Sequence, residues 1–149
     1  MKIVVVSGGF DPIHSGHITY FREAKTLGDK LVVGINSDAW LTRKKGKSFM
    51  PWSERFAIVK AIRYVDYVME FNDDDDSAIM LLKLVKQTFP NDEIIFANGG
   101  DRNVTNNREL DVKGVLFKYG VGGSNKMNSS SDILKEWKNE SSNSNTDNR

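Results

Sequence analysis

The fold of this chain is decided by residues 3–17, Ile3-Val4-Val5-Val6-Ser7-Gly8-Gly9-Phe10-Asp11-Pro12-Ile13-His14-Ser15-Gly16-His17. The apolar, β-branched run at residues 3–6 is typical of a strand buried in a parallel sheet. Gly8 and Gly9 allow a tight turn after that strand and leave room for a ligand. From Ser15 onward the apolar residues recur at helical spacing, so the stretch predicts a strand, a glycine turn and a helix in succession.

The same alternation continues to the end of the chain. Further apolar runs predict strands over residues 31–35, 65–69, 93–97 and 115–119. Between them, helical spacing predicts helices over about 15–27, 53–64 and 79–89, with short helices after residue 38 and up to about 137. This order predicts an α/β fold, a Rossmann-like doubly wound sheet of about five parallel strands with helices on both faces. Such folds bind ligands at the carboxyl ends of their strands.

Length and composition indicate one globular domain. The 149 residues suit a single core, which we expect over residues 1–138. Residues 139–149 are rich in Ser and Asn and contain no apolar side chain, so they predict a disordered polar tail.

Charge and residue usage exclude several classes of protein. The 21 basic and 20 acidic side chains nearly balance, whereas a general nucleic-acid binder usually carries a clear basic excess. Without cysteine, disulfides, thiolate metal sites and cysteine nucleophiles are absent. No apolar run approaches the length of a membrane span, and the first residues lack the layout of a signal peptide. We therefore expect a soluble cytoplasmic protein that binds neither nucleic acid nor membrane.

The two histidines of the chain, His14 and His17, are the strongest candidates for chemistry. They lie three residues apart at the start of the first predicted helix, so both side chains can point the same way. A helix N-terminus favours anions, and two imidazoles there suit a polyphosphate whose charge grows during transfer. The alternative is that both are surface or capping residues. A zinc site is less favoured, because no third ligand is evident.

The segment His14-Ser15-Gly16-His17 resembles the H-x-G-H signature of the cytidylyltransferase-like nucleotidyltransferase superfamily. Members of that superfamily include glycerol-3-phosphate cytidylyltransferase and the heptose-1-phosphate adenylyltransferase domain. The resemblance covers roughly residues 3–134, because further segments match in the same order: 27–38, Lys45-Gly46, Glu54-Arg55, 64–68, Gly99-Gly100-Asp101 and Ser129-Ser130-Ser131.

This resemblance implies a role for each matched residue. His14 and His17 would stabilise the transition state at the α-phosphate, and Lys45 would reach the phosphates as a third catalytic residue. The nucleotide would be bound by the glycine turn and the later motifs: Gly8, Gly9, Phe10, Asp11, Gly16, Arg55, Gly100, Asp101, Ser129, Ser130 and Ser131. Mg²⁺ is expected with the triphosphate, without metal ligands from the chain. Members of the superfamily commonly form homodimers, so the resemblance also implies a homodimer.

Simpler interpretations stand beside several of these roles. Lys45 belongs to residues 43–48, which predict a basic loop that is solvated in the simpler case. Serines before a helix cap it whether or not a ligand binds. Arg55 is alternatively a surface charge, and Asp11 either orients His17 or the substrate or caps a turn. Residues 73–76 are interpreted as a solvated acidic loop rather than a metal site.

The implied reaction transfers a nucleoside monophosphate from CTP or ATP to a small phosphorylated sugar, polyol or amino alcohol and releases pyrophosphate. Gly9 departs from the threonine usual in the glycerol-phosphate type, and Pro12 resembles the adenylyltransferase branches, so the base stays open. An alternative is a catalytically silent nucleotide-binding or regulatory module of the same fold. A third is a structural partner protein, which no feature favours.

Overall fold

The computed structural model describes residues 1–100, 108–123 and 130–147. In these ranges the strands are β1 (Lys2–Gly8), β2 (Lys30–Ile35), β3 (Tyr67–Glu70), β4 (Glu93–Ala97) and β5 (Val115–Lys118). The helices are α1 (Ser15–Lys25), α2 (Asp38–Lys45), α3 (Trp52–Lys60), α4 (Ile79–Thr88) and α5 (Ser130–Asp147), with a 3-10 helix at Arg108–Asp111. Within the same ranges, no helix combines the length and apolar composition that a membrane crossing requires.

The five strands form one parallel sheet in the order β3-β2-β1-β4-β5. The order reverses between β1 and β4, where Val5 pairs with Phe96. In open α/β sheets, the crevice at the carboxyl ends of the strands beside this reversal is the usual ligand site. The predicted Rossmann-like fold of five parallel strands is confirmed.

Each face of the sheet has its own core. One cluster joins β1 and β4 to α4 through Ile3, Phe96 and Leu82. The other joins β1 and β2 to α1 and α3 through Val4, Phe21 and Val59. The central strands are buried on both sides, which explains why they are continuous apolar runs without alternation.

Two predicted segments differ from the structure. Residues 43–45, predicted within a basic loop, form the last turn of α2, and the helix ends at Gly46 with φ 92°. Basic side chains stabilise the C-terminal end of a helix through its dipole, so a basic run continues the helix here. The second difference is that α5 extends to Asp147, beyond the predicted end near residue 137. Because residues 131–147 contain neither Gly nor Pro, a helix begun at Ser130 meets no strong breaker. The proposed division at residue 138 stays a prediction.

Candidate active site

Residues 8–12, here called the glycine turn, connect β1 to α1 at the carboxyl edge of the sheet. Phe10 has a φ of 51° and is 4% exposed, because its ring folds back into the core. A Cβ atom on Gly8 would lie 2.9 Å from Phe10 Cζ, so any larger residue there would displace the Phe10 ring. The Phe10 ring meets the rings of His17 and Phe21 edge-on, with centroids 5.0 Å and 5.2 Å away. The turn is therefore anchored beneath α1 and supports His17.

His14 and His17 form the cap of α1. The Nδ1 atom of His14 accepts the Gly16 N–H at 3.0 Å, and Nδ1 of His17 accepts the His14 N–H at 3.2 Å. The rings stack with centroids 3.9 Å apart. Since each Nδ1 accepts a hydrogen, each neutral ring carries its own proton on Nε2. The capping interpretation is correct, and it leaves both imidazoles as Nε2–H donors at a helix N-terminus.

Three predicted site residues from three different elements converge on the carbonyl groups of the glycine turn. Arg55 in α3 donates through an Nη to the Gly9 carbonyl at 2.8 Å. Lys45, the last residue of α2, donates through Nζ to the Asp11 carbonyl at 2.6 Å. Ser130, the first residue of α5, donates through Oγ to the Pro12 carbonyl at 2.6 Å. Residues far apart in the sequence therefore meet beside the two histidines.

The Asp11 carboxylate stabilises the segment between α2 and α3. It is 1% exposed and accepts the N–H groups of Phe49 and Met50 at 2.7 Å and 2.6 Å. The ring of Phe49 in turn meets that of Trp137 in α5 edge-on, with centroids 6.3 Å apart. Of the roles considered for Asp11, the structure shows the one that stabilises a turn. This contact also brings α5 towards the segment that follows Lys45.

Arg55 is buried rather than at the surface, so its interpretation as a surface charge is wrong. Besides Gly9, its guanidinium donates to the carbonyls of Met50 and Asn36 at 3.0 Å and 2.7 Å and to the Asp38 carboxylate at 2.7 Å. Four of its five N–H donors therefore bind protein acceptors. Arg55 joins the glycine turn to the starts of α2 and α3, and its predicted phosphate contact stays a prediction.

Lys45 has an altered electrostatic environment. Partial burial of the ammonium lowers the pKa of Lys45 below the ordinary value of 10.5; the Asp11 carboxylate opposes this shift and the Arg55 guanidinium adds to it. Its ammonium donates a hydrogen bond to the neutral Asp11 carbonyl. A phosphate group is a stronger partner for such an ammonium than a carbonyl is.

The remaining predicted residues are placed less completely. Gly100 follows β4 with a φ of 54°, at the same edge of the sheet. Asp101 and Ser129 lie outside the described residues, and Ser131 is described only as part of the α5 backbone.

No sequence pattern predicted that α2 packs against the glycine turn. A Cβ atom on Gly9 would lie 3.0 Å from Leu41 Cδ2 and 3.4 Å from Trp40 Cζ3. The absent side chain at residue 9 therefore permits this close approach. In the part of the chain that the structure describes, the indole Nε1 of Trp40 is buried without a hydrogen-bond partner. Trp40 belongs to no motif, so no sequence pattern predicted its position.

Residues 73–76, predicted as a solvated acidic loop, are only partly exposed. Asp74 is exposed, but Asp73 is 2% exposed and does not belong to a solvated loop. Its carboxylate accepts hydrogen bonds from Asn36 and Ser37, at the end of β2. Because β2 and β3 are adjacent parallel strands, the segments that follow them meet at one edge. The rule that adjacent parallel strands end at the same edge was therefore the signal that could have indicated the contact between Asp73 and Ser37.

A comparison with known families agrees with this geometry. The family model described as cytidylyltransferase-like matches residues 5–136, most of the chain. The chain belongs to the cytidylyltransferase-like family. The prediction drawn from the H-x-G-H resemblance is confirmed at the level of the family.

Relatives within the cytidylyltransferase-like family include the bifunctional protein HldE of two bacteria. The protein from Proteus mirabilis is 32% identical over 137 residues, covering 85% of this chain and 27% of its own length. The protein from Photorhabdus laumondii is 31% identical over 149 residues, covering 93% and 28%. The chain thus spans little more than a quarter of the length of these curated relatives.

Solved structures show the same fold. The lipopolysaccharide core biosynthesis protein from Thermoplasma volcanium superposes with a TM-score of 0.60 at 26% identity, covering 80% of this chain and 95% of its own. A putative nicotinate-nucleotide adenylyltransferase from Vibrio parahaemolyticus reaches 0.62 at 14% identity, covering 90% and 84%. The second likeness concerns the fold alone.

Proposed function

We propose that this protein transfers a nucleoside monophosphate from CTP or ATP to a small phosphorylated acceptor and releases pyrophosphate. The observation that carries the proposal is the convergence of Lys45, Arg55 and Ser130 on the glycine turn, beside the Nε2–H donors of His14 and His17. All five residues supply donors. Transfer at phosphorus is catalysed mainly by positioning and charge stabilisation, which such a set can provide.

The acceptor phosphate attacks the α-phosphorus of the triphosphate, and the bond to the bridging oxygen of pyrophosphate breaks. Negative charge on the α-phosphate oxygens grows in the transition state. His14 and His17 donate hydrogen bonds to those oxygens, and the N-terminal end of α1 adds its dipole. The proton count needs no base, because the attacking phosphate oxygen is already ionised at neutral pH.

Lys45 neutralises phosphate charge during the reaction. In the structure its ammonium bonds to the Asp11 carbonyl, and a bound phosphate offers a charged acceptor in place of that neutral one. Ser130 and the N-terminal end of α5 hold the β- and γ-phosphates, since a helix start supplies unpaired N–H groups. Asp11 and Arg55 act as positioning residues, because they hold the glycine turn against α2 and α3.

A phosphorylated sugar is the favoured acceptor class. Support comes from the similar structure from Thermoplasma volcanium, which is a lipopolysaccharide core biosynthesis protein, and from the sequence resemblance to the heptose-1-phosphate adenylyltransferase domain. Polyol and amino-alcohol phosphates are the other members of the test panel. Mg²⁺ is proposed to enter with the triphosphate, whose oxygens supply its ligands, and a homodimer is proposed as the assembly.

Pyrophosphate release tests the proposal. The protein is incubated with Mg²⁺ and either CTP or ATP, together with each of a panel of sugar, polyol and amino-alcohol phosphates. One triphosphate and one acceptor should give pyrophosphate in amounts equal to the consumed acceptor. Folded protein that binds triphosphate by calorimetry, yet turns over no pair, would instead be a silent nucleotide-binding module.

A further inference from the structure

The carboxylate of Asp73 is a buried acidic group outside the predicted site residues. It is 2% exposed and accepts three hydrogen bonds: from Asn36 Nδ2 at 3.0 Å, from the Ser37 N–H at 2.8 Å and from Ser37 Oγ at 2.7 Å. Burying a carboxylate is costly unless its oxygens are hydrogen-bonded. The three bonds provide that compensation, and all three come from the two residues that precede α2.

Ser37 connects the Asp73 carboxylate to the first turn of α2. It is the N-cap residue of α2, and its Oγ accepts the N–H of Trp40 at 3.0 Å while it donates to Asp73. An N-cap bond fixes the first turn of a helix. Asp73 therefore orients the hydroxyl that begins α2.

The segment that contains Asp73 also holds the other end of α2. Arg43, in the last turn of the helix, donates through an Nη to the Asp73 carbonyl at 2.8 Å and pairs with the Asp76 carboxylate at 3.0 Å. Lys45 lies two residues further on and reaches the Asp11 carbonyl from the end of the same helix. Asp73 and Asp76 thus clamp α2 at both ends, and α2 carries Lys45 to the glycine turn.

An aspartate suits this position better than its amide. An ionised carboxylate accepts hydrogen bonds at both oxygens, and all three of its partners are donors. An asparagine at residue 73 has one acceptor oxygen, so its NH₂ group would face either the Ser37 N–H, whose bond is lost, or Ser37 Oγ, which must then accept instead of donate. In both cases the remaining bonds lose the charge of the carboxylate. The substitution is nearly isosteric, so it disturbs the clamp while keeping its shape.

We propose that Asp73 is a positioning residue of the transfer site, and that its buried carboxylate sets where Lys45 lies by fixing α2. The inference rests on the proposed function for its catalytic consequence. The structural part, that Asp73 fixes α2 and thereby the position of Lys45, does not depend on which reaction the protein catalyses.

The first test is a double-mutant cycle on kcat/KM for the triphosphate, with Asp73→Asn, Lys45→Ala and the combined variant. Asp73→Asn is expected to lower kcat/KM by about 10- to 100-fold, the range for a misplaced catalytic group. In the Lys45→Ala background it should have almost no further effect. Asp74→Asn is the matched control, because it removes the same charge from the exposed neighbour and should leave activity unchanged.

The second test does not depend on turnover. Lysines are ¹³C-dimethylated, the Lys45 resonance is assigned with Lys45→Arg, and the Lys45 pKa is titrated by NMR. In Asp73→Asn this pKa should rise from its lowered value towards that of an ordinary lysine, while Asp74→Asn leaves it in place. If Asp73→Asn does not fold, Ser37→Ala, which removes one of the three donors, is taken through both tests.

Additive losses in the cycle, or an unchanged Lys45 titration in a folded variant, would overturn the proposal, since α2 would then be held by its other contacts. Failure of the proposed function gives a different pattern. The wild-type protein would then turn over no acceptor, but the Lys45 titration would still respond to Asp73→Asn.

Discussion

The Nδ1 atom of His17 accepts the backbone N–H of His14 at 3.2 Å, while the two imidazole rings stack with centroids 3.9 Å apart. One nitrogen of His17 thus closes the start of α1, and the proton of the neutral ring is placed on the other. The capping role that the structure shows and the catalytic role that we propose would therefore use different atoms of one side chain.

Two substitutions of His17 should separate these roles. His17→Ala removes both nitrogens, so we expect a loss of about 1 kcal/mol in unfolding free energy and a fall in transfer rate of about 100-fold or more. His17→Gln supplies the acceptor that is ordinary at this capping position, so it should recover the stability but not the rate. Urea unfolding and pyrophosphate release measure the two. A Gln variant with wild-type rate would show that the imidazole is only a cap.

The charge of Lys45 should appear in the alkaline pH dependence. The pKa of Lys45 lies below 10.5 because burial outweighs the opposing Asp11 carboxylate. As the pH rises through that pKa, the ammonium is lost and kcat/KM for the triphosphate should fall. Lys45→Arg keeps its charge, so its profile, normalised to its own maximum, should lack this limb. The same limb in both profiles would assign the titration to another group.

Arg55 should be essential for stability. Its removal takes the donor from the buried Asn36 carbonyl and from the partly buried carbonyls of Gly9 and Met50, at a cost of about 1–3 kcal/mol for each group left unsatisfied. Arg55→Ala is therefore expected to lose about 3 kcal/mol or more in urea unfolding. Arg63→Ala removes an exposed arginine a short distance along the chain and should lose almost nothing. A stable Arg55→Ala with weakened triphosphate binding would instead favour the phosphate contact.

The Asp66 carboxylate should make the free energy of unfolding depend on pH in the acidic range. Burial alone would raise its pKa, but hydrogen bonds from Lys25 and the Leu31 N–H prevail and lower it from 3.8. A lowered folded-state pKa stabilises the protein above the unfolded-state value, and this stabilisation is lost as the pH falls through the folded-state pKa. Asp66→Asn should thus be destabilised at pH 7 and approach wild type in strong acid, measured by urea unfolding. A constant difference across this range would contradict the assignment.

The fold follows from patterns that are local in the sequence. A buried parallel strand is a short apolar run, and a helix shows its own spacing, so β4 was predicted at its observed bounds, residues 93–97. Helix ends that are set by capping residues and by charge were harder to predict from the sequence. The C-terminal end of α2 depends on three basic side chains and Gly46, which also resemble a loop.

The candidate site was predicted as a set of motifs, and the structure adds how they meet. The sequence motifs identified His14, Lys45, Arg55 and Ser130. The hydrogen bonds that bring the last three to the glycine turn form only where α2, α3 and α5 pack against the end of β1. Burial of Arg55 and Asp73 was not predictable, because a charged residue is usually exposed and only the three-dimensional contacts supply its partners.

The most direct test of nucleotidyl transfer is ³¹P NMR of one reaction mixture that contains the protein, Mg²⁺, CTP or ATP and a sugar 1-phosphate. The expected spectrum gains the coupled pair of a nucleoside diphosphate sugar together with an equal amount of pyrophosphate. Unchanged triphosphate and acceptor signals across the sugar, polyol and amino-alcohol phosphates would contradict the central claim. Orthophosphate with a free nucleoside diphosphate would contradict it equally, because cleavage would then have occurred at the γ-phosphate.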